Sequence, residues 1–166
     1  MPQQLAVDVK ALEKAFYSLS RKLHPDLFAR KSAREQEAAL ETSAILNDAY
    51  RTLKDPIARA LYVLKLAGFD IAEQGTKDVP PELLEEVFEL NMALEDEGAS
   101  DEVKAARIRF EGMRDEIDAA LQVNFAEWDK THDRRVLDAI RGQLNRRKYI
   151  TNLIARTDEA NVSDRI

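Results

Sequence analysis

At positions 20–28 the chain reads Ser20-Arg21-Lys22-Leu23-His24-Pro25-Asp26-Leu27-Phe28. Proline cannot donate to the helical hydrogen-bond ladder, and it restricts the residue before it to extended conformations, so a helix that contains Leu23 must end at His24. The following loop is therefore stiff at its start and is expected to hold the Asp26 carboxylate at a fixed place. Such a carboxylate can accept charge-assisted hydrogen bonds from a partner's arginine. The alternative is that the tripeptide only stops the helix and forms a local turn.

The segment before this loop has the pattern of an amphipathic helix with one cationic face. At about 100° per residue, one narrow arc holds the apolar side chains Leu12, Phe16, Leu19 and Leu23. The opposite side, which has no acidic residue, carries Lys10, Lys14, Ser18, Arg21 and Lys22. Solvated helix faces usually mix both signs of charge, so this face indicates a surface that docks on an acidic protein. An ordinary solvated face is the alternative.

The whole chain is predicted to be all-α. It has only five Gly and five Pro, lacks the alternation typical of strands, and shows helical spacing over long stretches. Pro56 at the first position of a helix, and Ser100 as a cap before Asp101, mark two of the breaks between helices. The predicted helices are Asp8–Leu23, Glu35–Lys54, Pro56–Ala67, Pro81–Glu97, Asp101–Phe125 and His132–Arg156.

Two structural units are expected, with Gly75–Pro81 as the linker between them. Residues 1–75 form the first unit and residues 76–166 form a three-helix bundle with short joins between antiparallel helices. The seam of this bundle is expected to follow spacings of 3 and 4 through Val103, Ala106, Phe110, Met113, Ile117, Ala120 and Asn124. The other two helices contribute the matching stripes Leu83, Val87, Leu90, Leu94 and Ile140, Leu144.

The first helix of the bundle carries a second apolar stripe beside the one assigned to its core. This stripe consists of Leu84, Phe88 and Met92, and it is bordered by the acidic residues Glu85, Glu89, Glu95 and Asp96. On the last helix, Tyr149 projects nearly opposite to Ile140. Apolar and aromatic side chains with a charged border are typical of binding patches. The alternative is that a bundle helix touches two neighbours and needs a broad apolar arc.

The composition excludes several classes of function. With 166 residues and 45% hydrophobic content, the chain can bury one good core or two small ones. The absence of cysteine removes disulfides, thiolate nucleophiles and cysteine-ligated metal sites. His24 and His132 are the only histidines and lack a metal-ligand spacing, and no nucleophile elbow or phosphate-binding loop is present. We therefore expect no enzymatic activity, no metal and no cofactor of the chain's own.

Membrane and nucleic-acid partners are not expected either. No apolar run approaches the roughly 20 residues that cross a bilayer, and the N-terminus lacks the pattern of a signal peptide. The predicted location is therefore the cytoplasm. The net charge is −6, and the basic excess in Lys10–Arg34 is small and has acidic neighbours, which argues against a nucleic-acid interface.

Several segments together resemble the HscB-type J-domain co-chaperones. Ser20 to Asp26 followed by Phe28 is similar to the signature loop of the J domain. Further similarity lies in Ile45 to Leu53, Pro56, Arg59-Ala60, Tyr62 and Gly68-Phe69-Asp70. The likeness continues to about Leu153, so it includes the C-terminal bundle that other J-domain proteins lack.

The resemblance implies two partners. One is a heat-shock chaperone of the HscA or DnaK type, whose ATPase the J domain stimulates, and the residues matched to its docking surface are His24, Pro25, Asp26, Lys14, Arg21 and Lys22. The other is the iron-sulfur scaffold protein IscU, and the matched residues are Leu84, Phe88, Glu89, Met92, Asp96 and Tyr149. Met92 stands where a carboxylate is expected. ATP and the iron-sulfur cluster would belong to these partners.

One departure from the family concerns the first helix of the J domain. The family has a short apolar helix before the basic one, and Met1–Val7 is too short to supply it. That helix would cover Leu12, Phe16 and Leu19, which is worth about 1.5–3 kcal/mol for each large side chain buried. We expect either that Met1 is too late a start or that the J region is loosely packed. A J-domain protein with another client, or a structural helical adaptor, are the alternative functions.

Overall fold

The computed structural model describes residues 4–69, 81–95 and 100–163. Within these ranges the chain forms helices and 3₁₀ turns and no strand, so the all-α prediction is confirmed. The six helices are α1 (Val9–Leu23), α2 (Ala33–Lys54), α3 (Pro56–Leu66), α4 (Leu84–Glu95), α5 (Ser100–Thr131) and α6 (Arg134–Ser163). The 3₁₀ turns are Pro25–Phe28 and Pro81–Leu83.

The chain divides into two compact units, Met1–Phe69 and Asp70–Ile166. The first contains α1–α3 and the second contains α4–α6. The predicted boundary at residue 75 and most of the predicted linker Gly75–Pro81 lie outside the described residues. That boundary therefore stays a prediction.

Side-chain caps set the helix starts of the first unit. The Asp8 carboxylate accepts hydrogen bonds from the backbone N–H groups of Lys10 (2.9 Å) and Ala11 (3.1 Å), which satisfies two donors that the first turn of α1 leaves open. At α2, Ser32 and Glu35 form a reciprocal capping box, and the Ser32 N–H donates to the Glu35 carboxylate at 2.9 Å. The starts of α1 and α2 are therefore set by hydrogen bonds between residues at most three positions apart in the chain.

Ser32→Ala is expected to destabilise the first unit by about 0.5–2 kcal/mol, the usual cost of losing an N-cap hydroxyl. The hydrogen bonds from Ser32 also lower the pKa of Glu35. Because the pKa of Glu35 is lower in the folded state than in the unfolded state, its ionised carboxylate stabilises the folded state at a pH above the unfolded-state pKa. This stabilisation is lost as the pH falls through the folded-state pKa. The difference in the free energy of unfolding between wild type and Ser32→Ala should therefore shrink in acid. Urea unfolding at neutral and acidic pH measures this. Ser18→Ala, a substitution within α1, is the control and should not lower stability.

The core of the first unit centres on α3. Ala60, Val63 and Leu64 are buried there, together with Leu5 from the segment before α1. Arg59 is also buried: its Nε donates to the Leu5 carbonyl at 2.8 Å, and its Nη1 donates to the carbonyl of Leu53. One guanidinium therefore ties the segment before α1 to the end of α2.

The pairing of α1 with α2 is less complete than the sequence predicts. No residue of α1 is fully buried, and Leu19, predicted to lie on the packing face, is exposed. The main aromatic contact is the stacked pair Phe16 and Tyr50, with ring centroids 4.1 Å apart. Residues 4–8 form no helix that could cover this face. Within residues 4–69 the apolar face of α1 is therefore only partly covered.

In the second unit, α5 and α6 are antiparallel partners. Asp118 pairs with Arg147 through two hydrogen bonds of 2.5 and 3.0 Å, Arg107 pairs with Asp158, and Asn124 donates to Gln143 at 2.9 Å. Residue numbers rise along α5 as those of their partners fall along α6, which fixes the register. The buried side chains of these two helices are Val103, Ala106, Phe110, Ile117, Leu121, Phe125, Trp128, Leu137, Ile140, Leu144, Ile150, Leu153, Ile154 and Thr157.

Two expectations about this unit need correction. Met113, Ala120 and Asn124 were placed in the seam, but they are only half-buried, and Leu121, Phe125 and Trp128 occupy the core instead. The helices also run further than predicted, to Thr131 in α5 and to Ser163 in α6. The turn between them lies at His132, whose φ of 52° is in the left-handed region that ends helices.

Candidate binding surfaces

The chain leaves helix α1 at His24, as the proline predicts. His24 has extended backbone angles (φ −62°, ψ 128°), and Pro25 begins the 3₁₀ turn. The side chain of Asp26 is 88% exposed and that of His24 is 56% exposed. The turn therefore presents a carboxylate to the solvent at the end of a basic helix.

Two groups of Asp26, its backbone N–H and its carboxylate, lie close to Nδ1 of His24. This atom accepts the backbone N–H of Asp26 at 3.3 Å, and it lies 3.5 Å from the Asp26 carboxylate. A nitrogen that accepts an N–H carries no proton and cannot donate to the carboxylate. With His24 acting as the cap of the turn, the Asp26 oxygens remain available to an external donor.

The loop is held from the other side by α2. The Gln36 side-chain amide donates to the carbonyls of Ala29 (3.2 Å) and Lys31 (3.0 Å), just beyond the 3₁₀ turn. The chain is thus fixed to α1 just before the His24–Asp26 segment and to α2 a few residues after it. This arrangement limits the positions that the carboxylate can take.

The predicted cations lie next to this loop. Arg21 and Lys22 occupy the last turn of α1, and both are exposed, as are Lys14 and Lys10 about two and three turns earlier. Basic residues in the last turn also complement the helix dipole. The structure therefore brings the predicted loop and the predicted cationic face together as one surface of the first unit.

On α4 the second apolar stripe faces the solvent. Leu84, Phe88 and Met92 are 54%, 64% and 59% exposed, whereas Val87 and Leu90 of the same helix are buried. The stripe therefore does not pack a second helix within the described part of the unit, which was the alternative explanation of the pattern. It forms an exposed apolar strip about 12 Å long, from the helical rise of about 1.5 Å per residue.

The acidic border of this stripe is partly engaged within the molecule. Arg109 of α5 donates to the Glu89 carboxylate at 2.9 Å, an ion pair that sequence reasoning missed because its members are far apart in the chain. Asn91 accepts a hydrogen bond from Arg156 of α6 at 2.8 Å. Asp96 lies outside the described residues.

Tyr149 was expected as an exposed aromatic and is half-buried. It precedes Arg156 by seven residues, so the two side chains leave α6 within about 20° of each other and about 10 Å apart along the axis. Arg156 contacts Asn91, and the pairs given above make α6 antiparallel to α5. Only four residues separate the end of α4 from the start of α5, and a join this short makes these two contacting helices antiparallel as well. The same face of α6 therefore reaches the level of Leu84 at Tyr149.

Other kinds of site find no support in the described ranges. These residues contain no group of three or more histidine, cysteine, aspartate or glutamate side chains that could hold a metal ion. No helix among them is sufficiently long and apolar to cross a membrane. The two surfaces above are therefore the candidates for function.

Comparison with known families matches both units. Residues 3–62 match the DnaJ domain, and residues 79–158 match the HSCB C-terminal oligomerisation domain. The co-chaperone protein HscB homolog of Burkholderia multivorans is 33% identical over 141 residues, which is 85% of this chain and 81% of that protein. The iron-sulfur cluster co-chaperone protein HscB of Mus musculus is 37% identical over 120 residues, 70% of this chain and 51% of the mouse protein.

Solved structures show the same likeness over the length of the chain. The chaperone HscB from Vibrio cholerae aligns with a TM-score of 0.67 at 27% identity, covering 99% of this chain and 94% of that one. The human co-chaperone protein HscB aligns with a TM-score of 0.74 at 25% identity, covering 98% and 79%. The chain, with its J domain and HscB-type helical bundle, belongs to the HscB family of J-domain co-chaperones.

Proposed function

We propose that this protein stimulates the ATPase of an HscA- or DnaK-type heat-shock chaperone and delivers an IscU-type iron-sulfur scaffold to it. The J domain docks on the chaperone, and the helical bundle binds the scaffold. Two attachment surfaces on one chain raise the local concentration of scaffold at the chaperone. Delivery of the scaffold to the chaperone takes place in the cytoplasm and assists iron-sulfur cluster maturation.

The observation that carries the first half of the proposal is the exposed Asp26 carboxylate. It stands on a turn that His24 and Gln36 hold in place, beside Arg21 and Lys22. A fixed carboxylate pairs with a partner arginine at low entropic cost, and the flanking cations steer the approach to an acidic surface. The pairing biases the chaperone toward nucleotide hydrolysis.

The exposed strip on α4 supports the second half. Leu84, Phe88 and Met92 offer an apolar centre, and Glu85 and Glu89 offer an acidic rim, as in interfaces whose aromatic anchors lie inside a polar border. The mouse relative is named an iron-sulfur cluster co-chaperone, which favours a scaffold as the client. Asp96 and Tyr149 are included in this surface as proposals.

The chain itself catalyses nothing in this scheme. Its relatives from Burkholderia multivorans and mouse are named co-chaperones, which supports this part of the proposal. ATP is bound and hydrolysed by the chaperone, and the cluster is held by the scaffold.

Purified protein added to an HscA-type chaperone is expected to raise its steady-state ATP hydrolysis. The half-saturating concentration should rise with ionic strength, because the Debye length falls from about 30 Å at 0.01 M to about 10 Å at 0.1 M salt and screens the steering by Lys14, Arg21 and Lys22. A coupled phosphate-release assay at several salt concentrations measures both quantities. Unchanged hydrolysis at low ionic strength would refute the proposal and favour a structural adaptor.

The client is tested by a pull-down from native extract. Recovery of an iron-sulfur scaffold together with the chaperone supports delivery of that scaffold. Recovery of the chaperone with other clients, and no scaffold, would instead support a J-domain protein of general use.

A further inference from the structure

We propose that Tyr17 is an aromatic anchor at the edge of the cationic face of α1, inserted into an apolar recess on the acidic surface of the heat-shock chaperone. The proposal rests on the proposed function and adds a contact to it. The J domain would then bind the chaperone through burial of apolar area as well as through charge.

The placement of Tyr17 follows from helix geometry. Lys14 precedes it by three residues and Arg21 follows it by four, which puts both cations on the same helix face as the ring. Lys10, two turns earlier, falls within about 20° of the same direction. On the other side of Tyr17 lies Glu13, one turn earlier, which accepts a hydrogen bond from the Tyr50 hydroxyl at 3.5 Å. The ring therefore lies midway along a row of positive charges, at the border of that row with Glu13.

The ring is both accessible and oriented. Tyr17 is 52% exposed, and its ring contacts Phe16 with centroids 5.5 Å apart at an angle of 57°. Phe16 in turn stacks on Tyr50 of α2 at 4.1 Å. An aromatic side chain that already rests on a fixed neighbour loses little freedom on binding, which is the condition for a strong anchor.

Charge complementarity indicates which kind of partner surface contacts the Tyr17 ring. Acidic groups of the partner that pair with Lys14 and Arg21 bring the surface between them onto the Tyr17 ring. Carboxylates directly over the ring would face its negative π cloud, so an apolar or amide surface fits better at this point. The partner is thus an acidic surface interrupted by an apolar recess.

Tyr62 supplies a matched control. It is 50% exposed and belongs to the same unit, but it lies on α3 and not on the helix that carries the row of cations. If any exposed tyrosine of this unit contributed equally, Tyr62→Ala and Tyr17→Ala would have the same effect.

The test measures chaperone ATPase as a function of co-chaperone concentration for wild type, Tyr17→Ala, Tyr17→Phe and Tyr62→Ala, with helix content checked by circular dichroism. Tyr17→Ala is expected to raise the half-saturating concentration about tenfold, as loss of an interface aromatic does, with the same maximal rate. Tyr17→Phe and Tyr62→Ala should stay within about twofold of wild type, because both keep the aromatic area at position 17.

Salt dependence separates this contact from the charged ones. The ratio of half-saturating concentrations at high and low salt should be unchanged in Tyr17→Ala and should fall in Lys14→Ala, because apolar burial is not screened by salt. Stimulation by wild type together with unchanged binding of Tyr17→Ala would overturn the proposal. Absence of stimulation by wild type would instead overturn the proposed function.

Discussion

Asp26→Asn is expected to abolish stimulation of the chaperone ATPase and to leave scaffold binding unchanged. The substitution keeps the shape of the side chain and removes its negative charge. Because this side chain is 88% exposed, the fold of the J domain should not change. Loss of one member of a docked, hydrogen-bonded charge pair costs about 2–5 kcal/mol, which corresponds to at least about 30-fold in affinity.

Single-turnover ATP hydrolysis by the chaperone measures the loss, and binding of the scaffold to the same variant is measured by calorimetry. Glu41→Gln is the matched control, since it also removes one exposed negative charge from the first unit but lies on α2 rather than in the loop. Equal activity of Asp26→Asn and Glu41→Gln would contradict the assigned role of Asp26.

His24 is expected to act by shaping the loop. Its Nδ1 accepts the backbone N–H of Asp26, a role that an asparagine oxygen can fill at a turn start. His24→Gln should remove the stimulation, whereas His24→Asn should retain part of it. If the two variants lost stimulation equally while the fold stayed intact, the imidazole would have to contact the chaperone directly.

The helix ends of the first unit are predictable from the sequence because they depend on neighbours in the chain. Asp8 before α1, Pro25 after it and Pro56 at the start of α3 act through backbone geometry within a few residues. The predicted ends at Leu23 and Lys54 are accordingly confirmed.

The core of α5 shows where a repeat pattern misleads. A strict alternation of 3 and 4 residues places Asn124 in the seam, but a straight helix drifts by about 20° per heptad relative to that repeat. By the second half of α5 the drift has moved Leu121, Phe125 and Trp128 into the core. Asn124 is left at its edge, where it pairs with Gln143.

Contacts between distant parts of the chain account for what the sequence could not predict. The exposed stripe on α4 was found from periodicity, but the ion pair between Glu89 and Arg109 depends on which helix lies beside α4. The burial of Leu5 and its hydrogen bond from Arg59 likewise join segments that no local pattern connects.

Phe88→Ala is expected to weaken scaffold binding by about 30-fold or more, the effect of losing a hot-spot aromatic worth about 2 kcal/mol. Phe88 is 64% exposed between Leu84 and Met92, so its removal takes a large apolar area from the interface without opening a cavity in the bundle. Stimulation of the chaperone ATPase in the absence of scaffold should be unchanged, because the J domain is intact.

Ile108→Ala is the matched control for this prediction. Ile108 is 69% exposed on α5 and therefore offers a similar apolar area outside the α4 stripe. Adding Tyr149→Ala to Phe88→Ala should weaken binding further only if the α6 face contributes, and urea unfolding must first show that the half-buried tyrosine can be removed without loss of the fold. If Phe88→Ala and Ile108→Ala bound the scaffold equally well, the stripe on α4 would not be the scaffold surface. Loss of ATPase stimulation in Phe88→Ala would contradict the division of function between the two units.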